Sequence, residues 1–221
     1  MEQLRHFLEI APGILGALLQ GAQTTVVVAA GAYGVALLWG LVLAFVLVYG
    51  GPFGKAARVY IEVFRCTPAL TQLFLIYFGL AQFGVFFEPL PAAILGLGLN
   101  GAAYTAEIFR SGINAIDSGQ NEAGLSIGLA PVGVMRFVVL PQALAVVIPP
   151  LANYALGLLK DTAIVSTIAA PEIMFFARQQ ATATFRSPEI YIIAALLYLV
   201  LSAPLSYAAR RLELWRARAT A

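Results

Sequence analysis

Five stretches, 24–49, 59–83, 90–115, 141–159 and 189–207, are dominated by apolar side chains over roughly the length of a bilayer crossing. A helix needs about twenty apolar residues to cross the hydrocarbon core, and it satisfies its own backbone polar groups as it does so. These stretches predict an all-α membrane protein with five transmembrane helices, a single transmembrane domain over residues 1–221. Composition agrees: 61% of residues are hydrophobic and 11% charged, whereas soluble domains carry about 25% charge. A net charge of +2 is too small to indicate nucleic acid.

Between the spans the chain breaks where proline and glycine dictate. Thr67-Pro68 interrupts the second span, since proline lacks the N–H that a continuing helix needs, and Thr67 is expected to cap the restart. Phe83, Phe86 and Phe87 mark a membrane interface. Pro149-Pro150 falls near the start or centre of the fourth span. The stretch from Lys160 to Pro188 is expected to be a long polar connection with a short helix at Ala170–Ala181. Met1–Pro12, with Leu4, Phe7 and Leu8, reads as an amphipathic segment on a surface, without the layout of a cleavable signal peptide. Gly50-Gly51-Pro52-Phe53-Gly54-Lys55 lacks the spacing of a phosphate loop, and Ala56 stands where Ser or Thr is required, which argues against nucleotide binding. One cysteine (Cys66) and one histidine (His6) exclude a disulfide framework and argue against zinc.

Charge orients the spans. Lys55, Arg58 and Arg65 follow the first, Arg110 and Arg136 flank the central loop, and Arg210, Arg211, Arg216 and Arg218 fill the tail. The connection between spans two and three has neither Lys nor Arg. Positive residues stay cytoplasmic, so the N-terminus is expected outside and the C-terminus inside. Lys160, Arg178 and Arg186 in the last outer connection are offset by Asp161, Glu172 and Glu189.

The central loop, about 116–140, is polar and competent to form helix. Asp117 and Ser118 suit a helix start, Glu122 its first turn, Gly128 a left-handed end and Pro131 a new first position. Glu122, Leu125 and Leu129 would then share a face with little to pack against, a shape suited to a partner's groove.

The wording Glu122-Ala123-Gly124, then Gly128 and Leu140-Pro141, resembles the cytoplasmic docking loop of ABC importer permeases, with Gly124 in place of the usual third alanine. Tyr60-Ile61-Glu62-Val63-Phe64-Arg65-Cys66-Thr67-Pro68 with Gln72 and Tyr77 is similar to the second-span signature of the polar amino-acid permeases, the histidine/glutamine/glutamate/arginine group. Asn100 to Arg110, Pro149 to Asn153 and Leu158 to Thr162 follow in that family's order. The resemblance implies the five-span type I importer permease core in a bacterial inner membrane, working with a second permease subunit, identical or paralogous. It also implies ABC ATPase subunits docked on Glu122, Ala123, Gly124, Leu125 and Gly128, and a periplasmic or tethered amino-acid receptor. No cofactor is expected in this chain; ATP and Mg belong to the ATPase, and this subunit is not itself an enzyme. The alternative is an ion-coupled secondary transporter, which would need intramembrane carboxylates beyond Asp161.

Candidate substrate contacts are Thr67, Asn100, Tyr154 and Asp161. Asn100 serves either as glue between helices or as a substrate contact. Asp161 either pairs with Lys160 at the surface or binds the substrate's α-ammonium. Tyr154 lies two helical turns before Asp161, so both can face one cavity. In relatives handling arginine or histidine a carboxylate often stands beside the asparagine matching Asn153; here that position is Tyr154. A neutral or acidic amino acid is therefore expected, or a pocket that stays empty. Arg65 and Arg110 read as snorkelling residues, and Glu107 as the ion-pair partner of Arg110.

Overall fold

The computed structural model describes residues 2–219, with side chains for 11–216. Every regular element among them is helical. The helices are α1 (Glu2–Tyr49), α2 (Phe53–Cys66), α3 (Ala69–Phe74), α4 (Pro89–Asn114), α5 (Ser118–Ser126), α6 (Pro131–Val134), α7 (Leu140–Asp161), α8 (Ile173–Thr184) and α9 (Ser187–Ala219).

Helix α4 is the central post, and its small residues explain why. Ala92, Ala93, Gly96, Leu97, Gly101, Ala102, Ala103 and Ala106 are buried along it, so the neighbouring backbones approach closely. Thr105 Oγ1 donates to the carbonyl of Ala36 at 2.6 Å, fastening α4 to α1. Its bounds, Pro89–Asn114, lie within a residue of the expected 90–115.

The other helices depart from expectation in informative ways. Helix α1 does not begin near Thr24: its apolar run covers Ala11–Tyr49, 39 residues. Its first half is buried by other helices, with Ile14, Leu18 and Ala22 packing on Ile173, Ala177 and Ala181 of α8 and on Ile190 and Ala194 of α9. The surface reading of Leu4, Phe7 and Leu8 concerns side chains outside the described residues. The second span is broken: α2 and the stretch Ala69–Phe83 meet at 107°. Thr67 closes α2 instead of capping α3. Its backbone is extended (φ −112, ψ 143), as the ring of a following proline demands, and its hydroxyl donates back to the carbonyl of Val63 at 2.7 Å.

The fourth span is longer than 141–159. Apolar helix runs from Pro131 to Ile168, through a π turn at Met135–Val139 and a 3-10 extension at Thr162–Ile168, with Pro149 and Pro150 inside α7. The connection expected to be polar is packed structure: Ile173, Ala177 and Ala181 of α8 are buried. A Cβ on Gly21 would lie 2.7 Å from the carbonyl carbon of Glu172, so the start of α8 rests on the bare backbone of α1. The basic tail is not a loose end, since α9 continues to Ala219. Phe83 and Phe86 are exposed, while Phe87 packs against the central core.

Candidate functional site

The break at Thr67-Pro68 opens a cleft beside the middle of α4. Its volume is about 710 Å³, and Thr67, Asn100, Tyr154 and Asp161 all line it. The α2–α3 corner brings Thr67, α4 brings Asn100, and α7 presents Tyr154 and Asp161 from one face. Lys160 points elsewhere, into a groove between α7 and α9. Among the described residues Asp161 makes no close ion pair, although the charge of the adjacent Lys160 still acts on it.

Asn100 is both glue and lining. Its Nδ2 donates to the carbonyl of Phe64 at 3.1 Å and to Gln72 Oε1 at 3.0 Å. Gln72 is buried and donates to the Phe64 carbonyl at 2.9 Å and the Thr67 carbonyl at 3.2 Å. These bonds satisfy the carbonyls freed where α2 ends, which would otherwise be stranded at membrane depth.

Aromatic rings form the cleft floor. Tyr154 stacks on Tyr104, centroids 5.8 Å apart, and Arg65 lies over the Tyr104 ring at 5.6 Å. Below these rings a second cavity of about 650 Å³ is lined by Arg65, Glu107, Arg110 and Arg216. Glu107 and Arg110 form the expected ion pair, at 2.7 Å.

Arg65, Tyr104, Asn153 and Glu213 were not singled out for the cleft from sequence. Tyr104 follows Asn100 by one helical turn, which is a readable signal. Arg65 stands two residues before the break that exposes it. Glu213 carries no such signal: Asn153 Nδ2 donates to its Oε1 at 2.6 Å, across sixty positions. The carboxylate absent at position 154 is thus present behind the cleft, contributed by α9.

The central loop forms the expected capped helix with two corrections. Asp117 Oδ1 accepts from the N–H of Gly119 at 2.7 Å, and Gly128 is left-handed at φ 86. Leu129 N–H reaches the Gly124 carbonyl at 3.2 Å, and Gly128 N–H the Leu125 carbonyl at 2.9 Å, the paired bonds of a Schellman ending. Glu122 falls in the second turn rather than the first, and Leu129 lies past the cap, off the helix face. Gly124 is buried because a Cβ there would stand 2.9 Å from Val134 Cγ2. Gln142 Nε2 donates to Gln120 Oε1 at 3.2 Å, fastening α5 to α7. Glu122, Ala123, Leu125 and Gly128 are exposed, as are Ile127 and Val132: the loop offers an apolar surface left uncovered by the described residues.

Residues 36–217 match the family described as the binding-protein-dependent transport system inner membrane component. The chain belongs to that family. The Bacillus subtilis arginine transport system permease protein ArtQ is 37% identical over 89% of this chain and 90% of its own. The Escherichia coli glutamine transport system permease protein GlnP is 35% identical over 89% and 91%. A crystal structure of an amino acid ABC transporter with histidines superposes with a TM-score of 0.82 at 36% identity, covering 96% of this chain and 97% of that one. As a member of this family the chain is a membrane-spanning permease subunit of an ABC importer, and ATP hydrolysis is done by the partner ATPase. Family membership also implies a substrate-binding partner. Among the described residues no three His, Cys, Asp or Glu side chains gather to hold a metal.

Proposed function

We propose that this chain, paired with a second permease subunit in a bacterial inner membrane, carries polar amino acids through the cleft between α2, α4 and α7. The observation that carries this reading is the convergence of Thr67, Asn100, Tyr154 and Asp161 on one cleft. Asp161 takes the α-ammonium, Arg65 is the nearest cation for the α-carboxylate, and Asn100 and Tyr154 meet the side chain. Arginine and glutamine relatives support an amino-acid substrate.

The N-terminus lies outside and the C-terminus inside, so the loop carrying Glu122, Ala123, Gly124, Leu125 and Gly128 faces the ATPase, where ATP and Mg bind. A receptor delivers substrate from the other side. Closure of the ATPases draws the two docking helices together. The spans then rearrange between two packings while each loop keeps its partner.

The test is ATP-driven uptake by vesicles holding the permease, its ATPase and its receptor. Asp161→Asn should lower amino-acid uptake by about tenfold or more, the loss of roughly 1.4 kcal/mol of binding, while the ATPase still co-purifies. Full uptake by Asp161→Asn would overturn the assignment.

A further inference from the structure

Several side chains lining the cleft commit their hydrogen-bond donors to partners outside it. Asn100 spends Nδ2 on the Phe64 carbonyl and on Gln72 Oε1. A carbonyl can only accept, so the amide orientation is fixed and Oδ1 is the atom Asn100 has left to offer. Thr67 donates its hydroxyl hydrogen to Val63 and accepts from Gln72, which leaves one lone pair. Asn153 donates Nδ2 to Glu213 at 2.6 Å. A carboxylate oxygen accepts, so Asn153 points Nδ2 at Glu213 and keeps Oδ1 and one N–H to offer. Asp161 adds a carboxylate with no hydrogen bond or close ion pair among the described residues, Lys160 acting on it only through space. Against these four acceptors stand the Arg65 guanidinium and the hydroxyls of Tyr104 and Tyr154, which can play either part.

A lining of this polarity matches an amino acid unevenly. The α-carboxylate has Arg65, and the α-ammonium has Asp161. What remains, Asn100 Oδ1, Asn153 Oδ1 and the Thr67 lone pair, is mostly accepting, with one Asn153 N–H beside it. A side chain ending in a carboxylate would find there only the phenols, one Asn153 N–H and the Arg65 N–H groups that the α-carboxylate leaves, and would bring a second anion near Asp161. A side chain ending in an amide or a guanidinium supplies the missing hydrogens.

We infer that the cleft selects amino acids whose side chains end in N–H donors, amides or cations, over those ending in a carboxylate, and that Glu213 is the positioning residue that holds Asn153 in its accepting orientation. This rests on the reading of the cleft as the amino-acid site. It also revises the expectation from sequence of a neutral or acidic amino acid, dropping the acidic ones and admitting the cationic ones.

The test is equilibrium binding of radiolabelled arginine, glutamine and glutamate to the permease–ATPase complex in nanodiscs, without receptor, so that only the cleft discriminates. Arginine or glutamine should bind at least about tenfold more tightly than glutamate. In Glu213→Gln the Asn153 amide is free to turn, and that ratio should shrink by about tenfold. Both side chains are exposed in this chain, so the variant is expected to fold. Glutamate binding as tightly as the other two would overturn the inference while leaving the amino-acid site intact. Failure of all three to bind would overturn the site and the inference with it. An unchanged ratio in Glu213→Gln would remove Glu213 from the positioning role.

Discussion

The hydroxyl of Tyr198 donates to Glu172 Oε2 at 2.6 Å, joining the middle of α9 to the first residue before α8. Glu172 is fully buried, and its two oxygens also accept from the N–H groups of Met174 and Phe175, each at 2.8 Å. It is therefore the N-cap of α8 and the knot between three helices. Tyr198→Phe removes a hydrogen bond to an acidic group, which is expected to cost about 1.5–3 kcal/mol. A lowered thermal unfolding midpoint in detergent, without loss of ATPase binding, is the measurement.

The same carboxylate predicts a pH dependence. Burial pushes Glu172 above the usual carboxylate range, against opposing pulls from Tyr198, Met174, Phe175 and the Arg178 guanidinium. A group whose folded pKa is raised gives stability that is complete below the unfolded pKa and lost as pH rises through the folded one. The difference in stability between wild type and Glu172→Gln should therefore move against wild type as pH climbs from the ordinary glutamate range through that raised value. Paired unfolding curves over that interval check it; a constant difference would show that Glu172 titrates alike in the folded and unfolded chains.

Contact between α1 and the Glu172 backbone depends on Gly21. Any Cβ there would meet backbone atoms within 2.8 Å, and backbone cannot rotate away as a side chain can. Gly21→Ala should destabilise by about 1–3 kcal/mol, as overpacking does. Gly34, where a Cβ would meet nothing within 4 Å, is the control: Gly34→Ala should leave the unfolding midpoint unchanged or slightly raised.

Docking-loop geometry sets the next expectation. Gly128 holds φ 86 with open space around it, so the demand there is conformational and not steric. Gly128→Asp should weaken ATPase association or lower transport per ATP hydrolysed, through strain in the Schellman ending and a charge on the apolar docking surface. Transport per ATP at the wild-type level would show that the loop does not couple. Orientation is checked with Cys66 replaced, because that thiol is exposed. A cysteine at Ser126 should be labelled only from the cytoplasmic side, and one at Gln82 or Gly84 only from outside.

What was legible in the sequence followed from apolar length and local turn chemistry. The Asp117 cap, the Gly128 ending and α4 each depend on residues within a few positions of one another. In 160–188 the short helix was legible, expected at Ala170–Ala181 and found at Ile173–Thr184, but its packing was not, because α8 is held by alanines and a buried glutamate meeting distant helices. The tail was read from its arginines as a charged end; Arg, Leu, Glu and Ala are also strong helix formers, and nothing in them stops α9. Thr67 was misplaced because either side of a proline break can use a threonine, and only the backbone dihedrals decide. The cleft was partly legible, since Tyr154 and Asp161 share a helix face, but Glu213 meets Asn153 only through the packing of α9 on α7.

Tyr154 offers the sharpest test of how the cleft reads a side chain. Its ring stacks on Tyr104, and a Cβ on Gly101 would stand 2.7 Å from its hydroxyl, so it lies flat over α4 with little room to move. Tyr154→Glu replaces that plate with a carboxylate facing the same space. A cationic side chain would then gain a charge-assisted partner, which is stronger than a neutral bond by roughly twofold, and arginine uptake should rise relative to glutamine. Arg65, above Tyr104 at 5.6 Å, is the competitor, because it can pair with the new carboxylate and cancel the gain. Tyr154→Gln separates the two effects: it opens the same space without charge and should not favour arginine. If both variants change the arginine-to-glutamine ratio equally, the ring acts by shape and not by the charge it withholds.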